Sequence, residues 1–353
     1  MPALQKILSS FDQSIDKVPF KWLQAPINED GVALSRTVYL MTLLRKLTGS
    51  TPLNEMSIEK ARKRIYGDLV PIQTKFPVMS AENLTLPLPG RDINARHYQP
   101  KGEHTIPGLL IFFHGGGYVT GNIDTHDDVC RLLCQSSCLQ VLSIDYRRPP
   151  EHPFPEPLND ALDSIRWAQD NASRFGISPR AIAVGGDSAG GNFAAVASLK
   201  TNFAQPLLAQ LLLYPGVDWK TPYPSRTRYS RGLFLSSEES KWFYKNYLGI
   251  EEMETCQPDV SPMLGKTSKS TPPAIVVTAG FDVLRDEGKA YAEKLLLEGV
   301  ETEYLCYSSQ AHAFANLAAV CRESRQAVEE IGGKFGEMCQ RSLECDKTAA
   351  VLS

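Results

Sequence analysis

A serine at the apex of a glycine-flanked turn is the first feature of this sequence with the pattern of a reactive group. Ser188 lies in the segment Gly186-Asp187-Ser188-Ala189-Gly190, between the apolar run 181–184 and the small-residue run 191–197. Such a pattern predicts a strand, a sharp turn and a helix, with the hydroxyl pushed out of the backbone. Because a serine hydroxyl is a weak nucleophile at neutral pH, acyl transfer there also needs a base, an acid and oxyanion donors.

Chain order selects the base and the acid. After Ser188 the sequence has a single histidine, His312, in a segment just past the last predicted strand, 303–307. In the order serine, acid, histidine, the acid is Asp282, which follows a predicted strand over 274–278. Its carboxylate would accept the N–H of the far ring nitrogen and fix the histidine tautomer. Asp286 is the reserve candidate, because an acid in the first turn of a helix also has an ordinary role opposite the helix dipole.

Three successive glycines, 115–117, follow the continuous apolar run 109–113. Bare backbone N–H groups at the end of a strand suit a phosphate or an oxyanion, but the sequence has no G-K-[ST] and no dinucleotide fingerprint here. Beside a reactive serine, an oxyanion hole is the better interpretation. His114 is predicted to shape the loop rather than to transfer protons. The predicted donors are the N–H groups of Gly116, Gly117 and Ala189, with Gly115 as a further candidate.

Composition indicates an ordinary globular protein. The 353 residues are 42% hydrophobic and 22% charged, with a net charge of −3. No basic excess favours nucleic acid, and no run approaches ~18 apolar residues, so neither a nucleic-acid partner nor a membrane span is predicted. Residues 1–20 mix charges with isolated apolar residues and lack the apolar centre of a signal peptide, which predicts a cytoplasmic location. The sequence leaves a homodimer open.

The histidines and cysteines do not form a metal-binding pattern. No H-E-x-x-H or similar spacing occurs, so no metal is predicted. Cys130, Cys134 and Cys138 recur every four residues, and a metal or cluster site is one interpretation. The buried face of a helix is the favoured one, since free cysteine behaves as a small hydrophobic residue.

Strands and helices alternate along most of the chain. Residues 84–88 and 93–98 are predicted to form a hairpin around Pro89-Gly90, and later apolar strands alternate with amphipathic helices. This alternation predicts an α/β fold with a mostly parallel central sheet flanked by helices. The catalytic domain is predicted over residues 76–214 and 274–345.

The remaining segments are predicted to form a helical cap over the carboxyl edge of the sheet. Residues 1–75 form its N-terminal segment, and residues 215–273 form an insertion with a capping box at Ser236 and Glu239. The aromatic residues of the insertion could line an apolar pocket or pack as the core of the cap, and the sequence does not decide between the two. These aromatic residues are Trp219, Tyr223, Phe234, Trp242, Phe243 and Tyr247.

Several motifs in a fixed order together resemble the hormone-sensitive lipase-like family of α/β-hydrolases, which includes bacterial and fungal esterases and plant carboxylesterases. The resemblance covers roughly residues 78–340. The motifs are His114-Gly115-Gly116-Gly117-Tyr118, Asp145-Tyr146-Arg147, Pro150-Glu151-His152-Pro153-Phe154-Pro155, Gly186-Asp187-Ser188-Ala189-Gly190-Gly191-Asn192, Asp282 with Leu284-Arg285-Asp286-Glu287-Gly288, and His312-Ala313-Phe314.

The resemblance implies an α/β-hydrolase fold with a helical cap, no cofactor, and a triad of Ser188, Asp282 and His312. Two departures stand out: Arg148-Pro149 where a Leu-Ala pair is usual, and Val283 where proline is usual. Neither removes a reactive group, although they could alter the loop that orients the acid. Arg147 and Glu151 are expected to form a structural ion pair near the site.

The expected activity is that of a serine carboxylic ester hydrolase acting through an acyl-enzyme on a small to medium apolar ester. Its partner is therefore a small-molecule ester substrate. Two alternatives stay open. The same triad could serve an acyltransferase, lactonase, thioesterase or cyclase in a biosynthetic pathway. A non-catalytic small-molecule receptor on this fold is disfavoured, since the chain keeps all three triad residues.

Overall fold

A computed structural model describes residues 25–352, except 48, 50, 232 and 250–256, and excludes the side chains of 46 and 346–352. Residues 1–24 of the predicted N-terminal segment lie outside the described residues, as does the interpretation of residues 1–20 as lacking a signal peptide. Parts of the predicted insertion, 232 and 250–256, also lie outside them.

One eight-stranded sheet runs through the described residues, in the order β1-β2-β4-β3-β5-β6-β7-β8. The pairs β1–β2 and β2–β4 are antiparallel, and all other pairs are parallel, which confirms the predicted mostly parallel sheet. The strands are β1 (Ser80–Leu88), β2 (Arg91–Gln99), β3 (Leu109–Phe113), β4 (Gln140–Ile144), β5 (Ile182–Asp187), β6 (Gln210–Leu213), β7 (Ala274–Phe281) and β8 (Thr302–Ala311).

Helices occupy most of the connections between the strands, as the alternating pattern predicts. A hairpin turn at Pro89-Gly90 joins β1 to β2 directly, and Gly90 takes the left-handed φ of +75° that this turn requires. The α-helices are α1 (Arg36–Leu47), α2 (Ile58–Leu69), α3 (Asp127–Ser137), α4 (Glu156–Asp170), α5 (Ala189–Ser198), α6 (Pro224–Arg228), α7 (Ser237–Leu248), α8 (Arg285–Leu297) and α9 (Arg322–Leu352).

The sheet is buried on both faces because its strand residues alternate between two apolar cores. In β3, Leu109, Ile111 and Phe113 join the core with α4, α5 and α8, whereas Leu110 and Phe112 join the core with α3 and α9. A strand buried on both sides reads as a continuous apolar run, which explains the sequence pattern.

The cysteine pattern follows from this burial. Cys130 and Cys134 are fully buried on α3 within the second core, so the helix-face interpretation is confirmed for them. Cys138 is partly exposed and caps the end of α3 with a left-handed φ of +57°. No group of three or more metal-binding side chains occurs in the part of the chain that the structure describes.

The last strand extends further than its apolar pattern indicates. The predicted strand 303–307 is β8, which runs to Ala311 because that residue pairs with Phe281 beyond an irregularity in the ladder. The polar residues 308–310 are typical of a loop by sequence but belong to the strand. Their pairing brings the residue after Ala311 to the carboxyl edge of the sheet.

Contacts join the segment before residue 75 to the segment 215–273. The carboxylate of Glu239 accepts the N–H of Leu53 at 3.1 Å and, through its other oxygen, the N–H of Ser236 at 2.9 Å. Ser236 in turn accepts the N–H of Glu239, so the predicted capping box is confirmed. Leu53 also packs with Leu235 and Phe243 in a small apolar cluster.

Candidate active site

The turn at Ser188 has the strained geometry expected of a nucleophile at a strand-to-helix junction. Ser188 follows β5 and caps α5 with φ +54° and ψ −115°, a region that non-glycine residues rarely adopt. A Cβ on Gly186 or Gly190 would overlap the carbonyl of Phe113 in neighbouring β3. The flanking glycines therefore let the turn pack directly against β3 and project the serine above the sheet edge.

Ser188, His312 and Asp282 form a continuous hydrogen-bonded chain. The Nε2 of His312 lies 3.0 Å from the Ser188 hydroxyl, and its Nδ1 lies 2.7 Å from Oδ2 of Asp282. The other carboxylate oxygen accepts the N–H of Leu284 at 2.9 Å. Because a carboxylate only accepts, Nδ1 carries the hydrogen and Nε2 faces the serine.

Burial and charge act in opposite directions on the histidine. Burial acts to lower the pKa of His312, but the charge and the hydrogen bond of Asp282 raise that pKa above its ordinary value of 6.5. Tyr214 packs edge-on against the imidazole at a centroid distance of 5.1 Å. The ring is thus held between a carboxylate, a hydroxyl and an aromatic face.

The structure separates the two candidate acids. Asp286 is not part of this chain of hydrogen bonds, because its carboxylate accepts the N–H of Ser225 at 2.8 Å. Asp282 occupies the position facing His312 although Val283 replaces the usual proline. Val283 is buried, and its carbonyl accepts the hydroxyl of Ser225 at 2.9 Å, so the loop has a tether of its own.

The glycine loop supplies backbone donors beside the serine. Among the described residues, no acceptor receives a hydrogen bond from the N–H of Gly116, Gly117 or Ala189, and all three line the same cavity as Ser188. The N–H of Gly115 differs, since it donates to the Asp187 carboxylate at 2.7 Å. Its assignment as a further oxyanion donor is therefore wrong, because the group is already engaged.

His114 lies behind this loop rather than in the cavity. Its ring is buried, stacks on Tyr146 at 4.2 Å and bonds through Nδ1 to the carbonyl of Gly115 at 2.8 Å. Burial holds the pKa of His114 well below its usual range, so the imidazole is neutral. These contacts fit the predicted role in shaping the loop.

The cavity at Ser188 is small and mostly apolar, with a volume of about 100 Å³. The predicted aromatic residues divide between the two roles that the sequence left open. Trp219, Phe234 and Phe243 line the cavity, and the Phe243 ring covers Gly117. Tyr247 instead is fully buried and stacks on Tyr118 at 3.8 Å, as a core residue does.

A second cavity of about 470 Å³ lies next to the first. Residues of α1 and α2 form part of its walls, with Met41 and Leu44 among the apolar side chains. The two cavities share five wall residues, which lie where the cavities adjoin. These residues are Ile65, Leu69, Phe234, Ala313 and Asn316.

Sequence reasoning paired two charged residues wrongly. Arg147 does not pair with Glu151; it bonds Asp160 at 2.9 Å and Glu156 at 2.5 Å on α4. Glu151 instead accepts two bonds, of 2.8 and 2.7 Å, from Arg62 of α2.

Three tertiary contacts near the site were not predicted from the sequence. Arg62 donates to the carbonyl of Val119 in the glycine loop at 2.9 Å. Asp187 bonds the ring of His126 from 61 positions away along the chain. Arg148, one of the two departures, donates to the carbonyl of Gly121 in the same loop.

The sheet order, the serine turn and the hydrogen-bonded chain together define the architecture of an α/β-hydrolase. A family model described as alpha/beta hydrolase fold matches residues 110–316, more than half of the chain. Within the described residues, no helix has the length and apolar character needed to cross a membrane.

Curated relatives and solved structures agree on an activity. The chain is 38% identical to carboxylic ester hydrolase LipN of Mycobacterium tuberculosis over 82% of this chain and 78% of that one. It is 32% identical to ethyl acetate hydrolase of Pseudomonas putida over 68% of this chain and 76% of that one. Two solved structures are also similar. Ester-hydrolase EH1AB1 from the metagenome of Lake Arreo has a TM-score of 0.81 and 36% identity, and the match covers 86% of this chain and 98% of that one. An esterase of Pyrobaculum calidifontis has a TM-score of 0.78 and 34% identity, and the match covers 86% of this chain and 99% of that one.

The chain belongs to the hormone-sensitive lipase-like family of α/β-hydrolases. It is a carboxylic ester hydrolase, and its substrates are small-molecule esters.

Proposed function

We propose that this protein hydrolyses small to medium apolar esters through a Ser188–His312–Asp282 triad. The observation that carries the proposal is the chain of hydrogen bonds of 3.0 and 2.7 Å that ends at a serine beside three backbone N–H groups without an acceptor among the described residues. A base within hydrogen-bond reach of a nucleophile, and oriented by an acid, is the arrangement that acyl transfer needs.

In the first half of the reaction, Nε2 of His312 takes the hydroxyl proton while Oγ of Ser188 attacks the ester carbonyl carbon. The negative charge on the former carbonyl oxygen is stabilised by the N–H groups of Gly116, Gly117 and Ala189. The imidazolium, held by Asp282, then gives its proton to the leaving alcohol as the C–O bond breaks. The products are an acyl-serine and a free alcohol.

In the second half, His312 takes a proton from water, and the resulting hydroxide oxygen attacks the acyl-serine carbonyl. The same N–H groups hold the second oxyanion. The proton returns to Oγ of Ser188 as the acyl–oxygen bond breaks, which releases the carboxylic acid and restores the enzyme.

The two cavities support a preference for an ester with one compact limb and one larger apolar limb. The cavity of about 100 Å³ at Ser188 admits only a few heavy atoms. The neighbouring cavity of about 470 Å³ lies within the usual range of small-molecule sites. We propose that residues 76–214 and 274–345 form the catalytic domain, and that residues 1–75 and 215–273 form the cap that encloses these cavities.

Turnover of p-nitrophenyl esters, from acetate to long acyl chains, tests the proposal in wild type and Ser188→Ala. We expect Ser188→Ala to lose turnover and fluorophosphonate labelling at an unchanged melting temperature. Ser198→Ala is the matched control, because this serine on α5 is buried and donates only to the carbonyl of Ala194. Turnover that persists in Ser188→Ala would contradict the assignment, and a wild type that neither turns over nor labels would indicate a binding protein.

A further inference from the structure

Asp187, the residue before Ser188, is a buried charge that the proposed ester-hydrolysis steps leave unused. Its side chain is only 2% exposed, and a carboxylate so buried costs folding free energy unless it is fully partnered. Its oxygens accept the N–H of Gly115 at 2.7 Å and lie 3.2 and 3.3 Å from Nε2 of His126. Both partners belong to the elements that surround the reacting centre.

We infer that the Asp187–His126 pair positions the oxyanion loop by fixing the peptide of Gly115. The carboxylate lies so close to this glycine that a Cβ there would overlap Oδ2. The next two residues, Gly116 and Gly117, have φ values of +113° and +60° and lack side chains that could hold them. The N–H of Gly116 shares a peptide with the Gly115 carbonyl, which bonds His114, and the N–H of Gly117 shares one with the Gly116 carbonyl, which accepts the N–H of Thr120 at 2.9 Å. The N–H of Gly115 belongs to the peptide just before these two, so its bond to Asp187 adds the anchor on the strand side of the loop.

His126 in turn holds the carboxylate. Nε2 of His126 lies within 3.3 Å of both Asp187 oxygens and of the backbone nitrogen of Gly115, and Nδ1 lies 2.9 Å from the hydroxyl of Thr125. Side-chain Nδ2 of Asn316 lies 3.4 Å from the same Nε2, while its Oδ1 is buried without a partner among the described residues.

The pair thus connects the three elements of the site: the serine turn through Asp187, the oxyanion loop through Gly115, and the histidine loop through Asn316, four residues after His312. Neither Asp187 nor His126 exchanges a proton with substrate in this scheme, so both are positioning residues. This inference rests on the proposed function, because it concerns the donors of the same oxyanion hole.

Loss of the pair should weaken binding of the oxyanion more than binding of the ester. We expect Asp187→Ala and His126→Phe to lower kcat at least about tenfold, since removing one oxyanion donor outright costs about 10²–10³ in kcat. KM should change little. Affinity for a trifluoromethyl ketone, which adds to Ser188 and forms an oxyanion, should fall by the same factor as kcat. Asp187→Asn keeps an acceptor for the Gly115 N–H and should recover part of the loss.

Two variants remote from the site are matched controls. Asp128→Ala removes a buried carboxylate that accepts the N–H groups of Thr74 and Phe76. His97→Phe removes a buried imidazole bonded to Gln140 at 2.8 Å. Both should change the melting temperature without lowering kcat or the affinity for the ketone. If Asp187→Ala does not fold, His126→Phe decides, because it leaves the carboxylate and its bond to Gly115 in the chain.

The possible outcomes separate this inference from the proposed function. Unchanged kcat in His126→Phe, or a loss of kcat without weaker ketone binding, would overturn the positioning role. A wild type that turns over esters while the variants match their controls would overturn the inference alone. A wild type without turnover that depends on Ser188 would overturn the proposed function and this inference together.

Discussion

At the scale of single residues, the proposed mechanism ties the pH dependence of activity to the protonation of His312. The neutral imidazole is the base in this mechanism, and Asp282 raises the pKa of His312 above 6.5, so kcat/KM should fall as pH drops through a midpoint above that value. Asp282→Asn should lower kcat by about 10⁴ through the wrong tautomer. Because it also removes the charge that raises the pKa, the midpoint of the residual activity should move to lower pH. The profile of kcat/KM between about pH 5 and 9 measures both effects.

Asp286→Asn is the matched comparison, because it changes an acid of the same segment whose carboxylate, among the described residues, accepts a hydrogen bond only from Ser225. We expect its kcat and its pH midpoint to stay close to those of wild type. A severe loss in Asp286→Asn together with retained activity in Asp282→Asn would show that the acid had been assigned to the wrong residue.

The residues of the site were predictable where chain order determines their roles. Ser188, Asp282 and His312 each follow a strand in a fixed order, and the structure brings them into one hydrogen-bonded chain. The three loop glycines look alike in the sequence, and only the tertiary position of Asp187 shows that the N–H of Gly115 is engaged. His126 was missed for the same reason.

At the scale of elements, α2 is tied to the glycine loop by one arginine. Arg62 donates to the carbonyls of Val119 and Pro149 at 2.9 and 2.7 Å and to both oxygens of Glu151. We expect Arg62→Ala to lower the free energy of unfolding by about 1–3 kcal/mol, because it removes charge-assisted hydrogen bonds. Lys63→Ala, in an exposed pair on the same helix, should change it by less than about 0.5 kcal/mol. Urea unfolding measures both, and equal effects would contradict the role of Arg62.

The contact between Glu151 and Arg62 also predicts a pH dependence of stability. The hydrogen bond from Arg62 lowers the pKa of Glu151 to about 2, below its ordinary 4.5. A lowered pKa means that this stabilisation is complete above 4.5 and is lost as pH falls toward 2. Because Glu151 is half-exposed, the free energy of unfolding of wild type should exceed that of Glu151→Gln by only about 0.2–1 kcal/mol near neutral pH. Urea unfolding should show that this difference in free energy shrinks as pH falls. A difference that grows as pH falls would contradict the lowered pKa of Glu151.

The elements themselves were predictable from apolar periodicity, whereas their partners were not. The buried strands and the capping box at Ser236 follow local rules. The pairing of Arg147 with Glu151 was wrong because nearness in sequence was taken for nearness in space. Arg147 pairs with Asp160 of α4, whereas Glu151 pairs with Arg62 of α2, in the N-terminal part of the chain. The predicted strand 303–307 is shorter than β8, because the carboxyl end of β8 is defined by its pairing with β7 rather than by apolar residues.

At the scale of the whole molecule, we expect substrate selection to depend on segments that are far apart in sequence. The wall residues shared by the two cavities include Ile65 from α2, Phe234 from the segment 215–273, and Asn316 after β8. Chain length alone permits such an arrangement, but neither composition nor periodicity shows which faces meet. We expect a passage between the two cavities at these shared residues, and substitutions that change its width test this expectation.

Narrowing and widening the passage should have opposite effects on long esters. Ile65→Trp adds bulk where the cavities meet, so kcat/KM should fall for long acyl or alkyl esters and stay near wild type for p-nitrophenyl acetate. Phe234→Ala removes a ring from the same wall and should raise the relative kcat/KM of the long esters. Phe203→Ala is a control, because this aromatic residue lies in a separate cavity beside Lys200. The chain-length series measures the ratio of long to short substrates, which is insensitive to a general loss of active enzyme. If both passage variants shift that ratio in the same direction, the second cavity does not receive the larger limb of the substrate.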